Sequence, residues 1–317
     1  MLEGISELIE PSLVWYIVFA TLVYSLVIGL ATLMFQILLY YQQEKLSFKM
    51  GFTVVSLSQF VNFLTPLKIG PVIGKPIIGK ITANLPLRKT ISATAFENFL
   101  GILIQLLMFP ILIFYVGDQL LLDGGLLLSN ALIKWLIIFT VILLGAYISY
   151  SYNWFIPQLI KLKFLVPVRL KKFVKRFGFT EEAVEKILND LPSFFLNKKL
   201  VLKLVLIIGI QACILPLTFL LALHYFNVQI PYMLLFSMYW IAYIIGRLSI
   251  FPGGLGVKDV TLGGMLLGAG VSGVSAIKIV LVYRLFNLFP ILLLGGIPFL
   301  MYGRNVFKYR RIKPPVS

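Results

Sequence analysis

The chain has 317 residues, 60% of them apolar and 13% charged, with a formal net charge of +16 and a mean hydropathy of +0.97. Soluble domains run at roughly 45–50% apolar and about 25% charged, so the composition excludes a water-soluble globular fold. It predicts an all-α polytopic membrane protein whose main solvent is the bilayer. One cysteine, Cys213, and one histidine, His224, exclude an intrachain disulfide framework and leave no basis for a cysteine- or histidine-built metal centre. Cys213 lies in an apolar run and is expected to be a small buried hydrophobe.

The N-terminus carries Glu3, Glu7 and Glu10 and no basic residue ahead of the first apolar run. That run is too long for the apolar part of a signal peptide, so the first span is expected to be retained. Five segments have the roughly 20 apolar residues that a bilayer crossing needs: 13–40, 91–117, 126–151, 200–223 and 277–302. Two more, 48–84 and 231–270, are long enough but are interrupted midway, the first by Pro66, Gly70 and Pro71 and the second by Pro252, Gly253, Gly254 and Gly256.

Basic residues set the orientation. Segment 152–199 holds ten basic and four acidic residues, and Arg304, Lys308, Arg310, Arg311 and Lys313 follow the last span. Both are expected in the cytoplasm and the N-terminus outside, in a plasma membrane. Lys80, Arg88 and Lys89 also fall inside only if each interrupted stretch returns to the side it entered. Two re-entrant helical hairpins result, broken at Pro/Gly tips and opening to opposite faces; ordinary kinks in crossing helices are the alternative. Leu170, Phe173, Val174 and Phe177 share one helical face, ringed by Arg169, Lys171, Lys172, Lys175 and Arg176, which reads as an interfacial basic helix or as topology marking alone. Topology thus accounts for the basic residues, and nucleic acid is not an expected partner.

An offset of 186 residues brings Pro66 onto Pro252, Gly70 onto Gly256 and Asn98 onto Arg284. With opposite openings, this is an inverted repeat, an architecture that places a site at the membrane midplane. The whole chain, 1–317, is then one transmembrane domain: a first unit at 48–117, the basic cytoplasmic segment at 152–199 and a second unit at 231–302. The second arm of each hairpin begins at its tip, near Pro71 and near Val257, so two helix N-termini point inward and favour an anion. Candidate binding residues are Lys68 and Gly70 at the first tip, and Gly253, Gly254, Gly256, Lys258 and Asp259 at the second. Glu97, Asn98, Arg247, Arg284 and Asn287, polar residues inside apolar spans, are further candidates. An ionised side chain there costs at least about 2.5–3.5 kcal/mol unless paired or hydrated. Glu97 is expected about 9 Å, and Arg284 about 10 Å, into its span, and a Glu97–Arg pair either fixes helix register or opens to take a phosphate headgroup.

The motifs Asn62-Phe-Leu-Thr-Pro66, Gly70, Glu97, Pro252-Gly-Gly-Leu-Gly-Val-Lys-Asp259 and Arg284 resemble the transmembrane, flippase-like domain of lysylphosphatidylglycerol synthetases and its stand-alone relatives. The resemblance covers nearly the whole chain and implies a lipid-translocation role, moving aminoacylated phospholipid in the fused enzymes and other lipid-phosphate carriers in stand-alone members; at the first tip Lys68 stands where the family often has an arginine or another small polar residue. The chain runs 15 residues past Tyr302, so no aminoacyl-transferase activity is expected of it. No nucleotide, zinc or hydrolase motif occurs, and neither cofactor nor catalytic residue is expected. Anionic or phosphate-headed lipids are the expected ligands. The alternative is a non-enzymatic membrane scaffold that holds a lipid-modifying enzyme or glycosyltransferase through segment 161–176; a homo-oligomer is compatible with either.

Overall fold

A computed structural model describes residues 11–64, 70–121, 193–248, 254 and 256–302. Lys68, Gly253, Pro66, Pro252, the expected span 126–151, the basic helix at 168–177 and the tail after Tyr302 lie outside these residues. The described chain is helical throughout, in the order α1 (Pro11–Tyr41), α2 (Phe48–Leu64), α3 (Gly70–Ala83), α4 (Leu87–Leu121), α5 (Lys198–Ile214), α6 (Leu217–Tyr225), α7 (Tyr232–Leu248), α8 (Val257–Gly268) and α9 (Gly273–Ile291). A π-helical turn, Leu292–Gly296, prolongs α9.

Among the described residues, four segments are long and apolar enough to cross a membrane: Ser12–Tyr41, Leu87–Gly117, Lys198–Tyr225 and Gly273–Tyr302. Their outer faces carry large apolar side chains, such as Trp15, Leu22, Leu106, Leu206, Leu281 and Leu300, exposed beyond the protein's own packing. A helix apolar all round belongs in lipid. Cys213 is on such an exposed face, correcting the expectation of burial. Polar side chains within the spans bond back to their own helix: Thr21, Thr32, Thr94 and Ser237 each donate to the carbonyl four residues earlier.

Helix α2 ends at Leu64 and α3 begins at Gly70, and the two pack against each other; α7, ending at Leu248, and α8, beginning at Val257, do the same. At 1.5 Å per residue α3 reaches about 21 Å and α8 about 18 Å, short of a 30 Å hydrocarbon core. The contacts are reciprocal: α4, which follows the first pair, packs on α7, while α9 and its π turn pack on α2. Small residues permit this closeness. A Cβ on Gly295 would lie 2.6 Å from both the Ser56 carbonyl oxygen and Phe60 Cβ.

Pro216 separates α5 from α6. Lacking an N–H, it leaves the Ala212 carbonyl without its helical donor. The Trp240 indole N–H of α7 donates to that carbonyl at 3.0 Å, and the Tyr232 hydroxyl donates to the next one, Cys213, at 2.6 Å. A break in one span thereby becomes an anchor for another helix.

Two apolar clusters form the core. One gathers Phe35, Leu38, Leu57, Ile78, Phe96 and Leu204, and the other Phe219, Leu235, Met238, Leu262, Ile279 and Phe286. Helices α1, α4 and α5 run from one cluster into the other, contributing, for example, Leu39 and Ala20, Phe96 and Leu112, and Leu204 and Ala212.

Candidate functional site

Where the two clusters meet there is a cavity of about 320 Å³. Its lining comes from around mid-length of all four spans: Tyr24 to Met34 of α1, Glu97 to Gln105 of α4, Ile208 to Leu215 of α5 and Tyr283 to Ile291 of α9. Helix periodicity accounts for the inward faces. Glu97, Gly101 and Gln105 are four apart on α4, and Tyr239, Tyr243 and Arg247 are four apart on α7, so each set shares one stripe.

Eight of the twelve sequence-selected residues line this space: Glu97, Asn98, Arg247, Gly254, Lys258, Asp259, Arg284 and Asn287. Gly70 begins α3, and Gly256 precedes α8 with φ +81°. Lys68 and Gly253 lie outside the described residues. With α4 starting at Leu87 and α9 at Gly273, Glu97 and Arg284 sit about 15 Å and 16 Å along their helices. These distances exceed the sequence estimate because each helix starts ahead of its apolar run, at Leu87 and at Gly273.

The expected Glu97–Arg pair does not form. Glu97 takes both its hydrogen bonds from Lys75 of α3, at 2.9 and 2.7 Å. Lys75 is 2% exposed and Glu97 14%; the ammonium also lies 5.0 Å from the centre of the Phe35 ring. Sequence reasoning missed Lys75. The available signal was a cation in the middle of the short apolar helix that immediately precedes the span carrying Glu97, where an intramembrane charge requires a partner.

Arg284 pairs instead with Asp259 of α8, which also accepts the Gly256 N–H at 2.9 Å. One N–H at the α8 N-terminus, that of Gly256, is therefore capped by the chain's own carboxylate. Gly254 has φ +73°, and a Cβ there would lie 2.9 Å from the Gly246 carbonyl oxygen, so the backbone before α8 abuts α7 as only glycine permits.

The remaining cations meet neutral or aromatic groups. Arg247 donates to Gln105 Oε1 at 2.9 Å. The Lys258 ammonium donates to the Tyr283 hydroxyl and lies 4.9, 5.6 and 4.7 Å from the ring centres of Tyr239, Tyr243 and Tyr283, a cation–π enclosure. Three cations, Arg247, Lys258 and Arg284, line the cavity against two carboxylates, and one of those is already matched by Lys75 behind it. The cavity is net positive, with hydrogen-bonding amides from Asn62 of the first motif and from Gln59, Gln105 and Gln211, which the sequence did not single out. Among the described residues no group of three or more His, Cys, Asp or Glu side chains could hold a metal. His224 lies away from the cavity and shares a 2.7 Å hydrogen bond with the Tyr16 hydroxyl.

Comparison with known proteins agrees with this architecture. A "UPF0104 membrane protein" of Methanothermobacter thermautotrophicus is 24% identical over 278 residues, covering 82% of this chain and 76% of the relative. No solved structure matches the chain. Residues 2–295 match the lysylphosphatidylglycerol synthase TM region, and the chain belongs to that family of membrane domains.

Proposed function

We propose that the protein moves an anionic, phosphate-headed lipid between leaflets through the mid-span cavity, with α2–α3 and α7–α8 as re-entrant hairpins of an inverted repeat. The observation that carries this reading is the placement of Arg247, Lys258 and Arg284 around one cavity at mid-length of four membrane-length segments. Cations at that depth are costly without an anion or water to face, and a guanidinium fits a phosphate with paired hydrogen bonds. The reciprocal packing of α4 on α7 and of α9 on α2 supports the inverted arrangement. The acyl chains would stay in the bilayer beside the exposed apolar faces while the headgroup occupies the cavity.

The test is translocation in liposomes containing acyl-labelled phosphatidylglycerol or phosphatidylcholine, read by a membrane-impermeant quencher. Quenching should extend past the outer leaflet for phosphatidylglycerol alone and be lost in Arg247→Gln. Equal quenching of both lipids, or quenching unchanged by Arg247→Gln, would overturn the proposal.

A further inference from the structure

Cations alone would suit a bare phosphate, but this cavity also carries oriented hydrogen-bond acceptors. The side-chain nitrogen of Asn98 donates to the Thr94 carbonyl at 2.8 Å, that of Asn287 to the Tyr283 carbonyl at 2.7 Å, and that of Gln211 to the Val27 carbonyl at 3.0 Å. A carbonyl oxygen can only accept, so these contacts fix which way each amide is turned. In all three the amide oxygen is left as an acceptor, beside the amide's second N–H. They come from three different spans and line the same space.

Half-buried acceptors lining a cavity at mid-span call for donors, and a phosphate dianion has none. Two kinds of headgroup do: an ammonium or a set of hydroxyls. The ammonium is the poorer fit. The tyrosine enclosure that would bind one already holds Lys258, and both carboxylates already hold cations, Lys75 and Arg284. Neutral oxygens from Asn98, Gln211 and Asn287, beside aromatic walls from Tyr239 and Trp240, suit neutral hydroxyls on a compact ring or chain. A cavity of about 320 Å³ equals the liquid volume of roughly ten waters, room for a phosphate and one small polyol together.

Resting on the lipid-translocation reading, we infer that the headgroup is a polyhydroxylated phosphate, of the sugar- or cyclitol-phosphate kind. Arg247 and Arg284 meet the phosphate; Asn98, Gln211 and Asn287 accept from the hydroxyls. A site built to bond hydroxyls discriminates strongly against a ligand lacking them, because its own acceptors are then left unpaired.

The test measures binding to purified, detergent-solubilised protein of three short-chain probes: dihexanoyl phosphatidylinositol, dihexanoyl phosphatidic acid and inositol 1-phosphate without acyl chains. The inositol lipid should bind at least about tenfold more tightly than phosphatidic acid, the worth of one or two hydrogen bonds. Asn98→Leu and Asn287→Leu remove bonds only within their own helices, and each should bring the inositol lipid toward the phosphatidic acid value while leaving phosphatidic acid unchanged. That unchanged value also reports correct folding. Equal binding of the two lipids, or equal loss of both in the variants, overturns the hydroxyl assignment and leaves the phosphate reading standing. If neither lipid binds, both readings fall. If inositol 1-phosphate binds as tightly as the lipid, the headgroup class stands, its source is a soluble sugar phosphate, and lipid translocation is overturned.

Discussion

The two broken-helix units each tie a short arm to the following span by an ion pair, and the pairs differ in polarity and in depth. In the first unit the arm supplies the cation, Lys75, and the span the anion, Glu97; they are 2% and 14% exposed. In the second the arm supplies the anion, Asp259, and the span the cation, Arg284, 22% and 35% exposed. A closed pair loses much if a partner is removed, because a charge is left without water. An open pair has solvent in reserve and can trade its partner for a ligand. The first unit thus reads as the fixed wall of the cavity and the second as its exchanging wall.

The largest effect tests whether the units are oppositely placed at all. In a Cys213→Ala background, single cysteines at Lys45 and Asn84, which flank α2–α3, should react from one side of the membrane only. Cysteines at Asn227 and Gly273, which flank α7–α8, should react only from the other. Labelling of Lys45 and Asn84 positions from different sides would show that α2–α3 crosses, and the comparison would lose its basis.

Next comes the closed pair. Lys75→Met should cost about 3–5 kcal/mol by stranding Glu97, read as a lowered Tm in detergent, and adding Glu97→Gln should recover most of it. A single variant as stable as the parent would mean that Glu97 takes a proton or another partner, and that the first wall is not fixed by this bond.

Gly254 and Gly256 separate strain from contact on the exchanging wall. Both have positive φ, so alanine at either is strained, and Gly256, with ψ −59°, sits in the γ-turn region that other residues rarely adopt. Gly254→Ala alone also meets the Gly246 carbonyl, whereas a Cβ on Gly256 meets nothing within 4 Å. Gly254→Ala should therefore lower Tm further, by an overpacking cost of about 1–3 kcal/mol; equal losses would show that the approach of this backbone to α7 is loose.

The smallest change in stability is expected at the open pair. Asp259→Asn keeps an acceptor for the Gly256 N–H and should shift stability by under about 1 kcal/mol, yet lipid movement should stop because Arg284 no longer has a carboxylate to return to. Retained transport would make the Asp259–Arg284 pair a helix-register device, equivalent to its partner in the first unit.

Much of the fold was legible because lipid imposes it. Hydropathy located the four described spans, and Gly70 and Gly256 marked where α3 and α8 begin. The α8 start at Val257 followed from the glycines before it. Pairing was less legible. The 186-residue offset places Glu97 on Tyr283 and Lys75 on Thr261, so the ion pairs do not superpose even though the packing is reciprocal, and no alignment of the units would have joined Lys75 to Glu97. The amides were overlooked for another reason: Gln105 and Gln211 sit singly in long apolar runs, and only the convergence of α4, α5 and α7 gives them a common space. The four-residue spacing of Tyr239, Tyr243 and Arg247 was readable and would have exposed the aromatic wall.

Trp240 gives the molecule its own optical probe. Its indole bridges α7 to the Ala212 carbonyl freed by Pro216, it is 5% exposed, and it lines the cavity. Indole emission responds to nearby charge and hydration, so a headgroup that expels water and brings a phosphate beside this ring will change its colour and yield without any attached dye. Subtracting the signal of a Trp240→Phe variant removes the contribution of the chain's three other tryptophans, Trp15, Trp135 and Trp154. The residue that anchors the broken span can thus report occupancy in the bilayer, in real time.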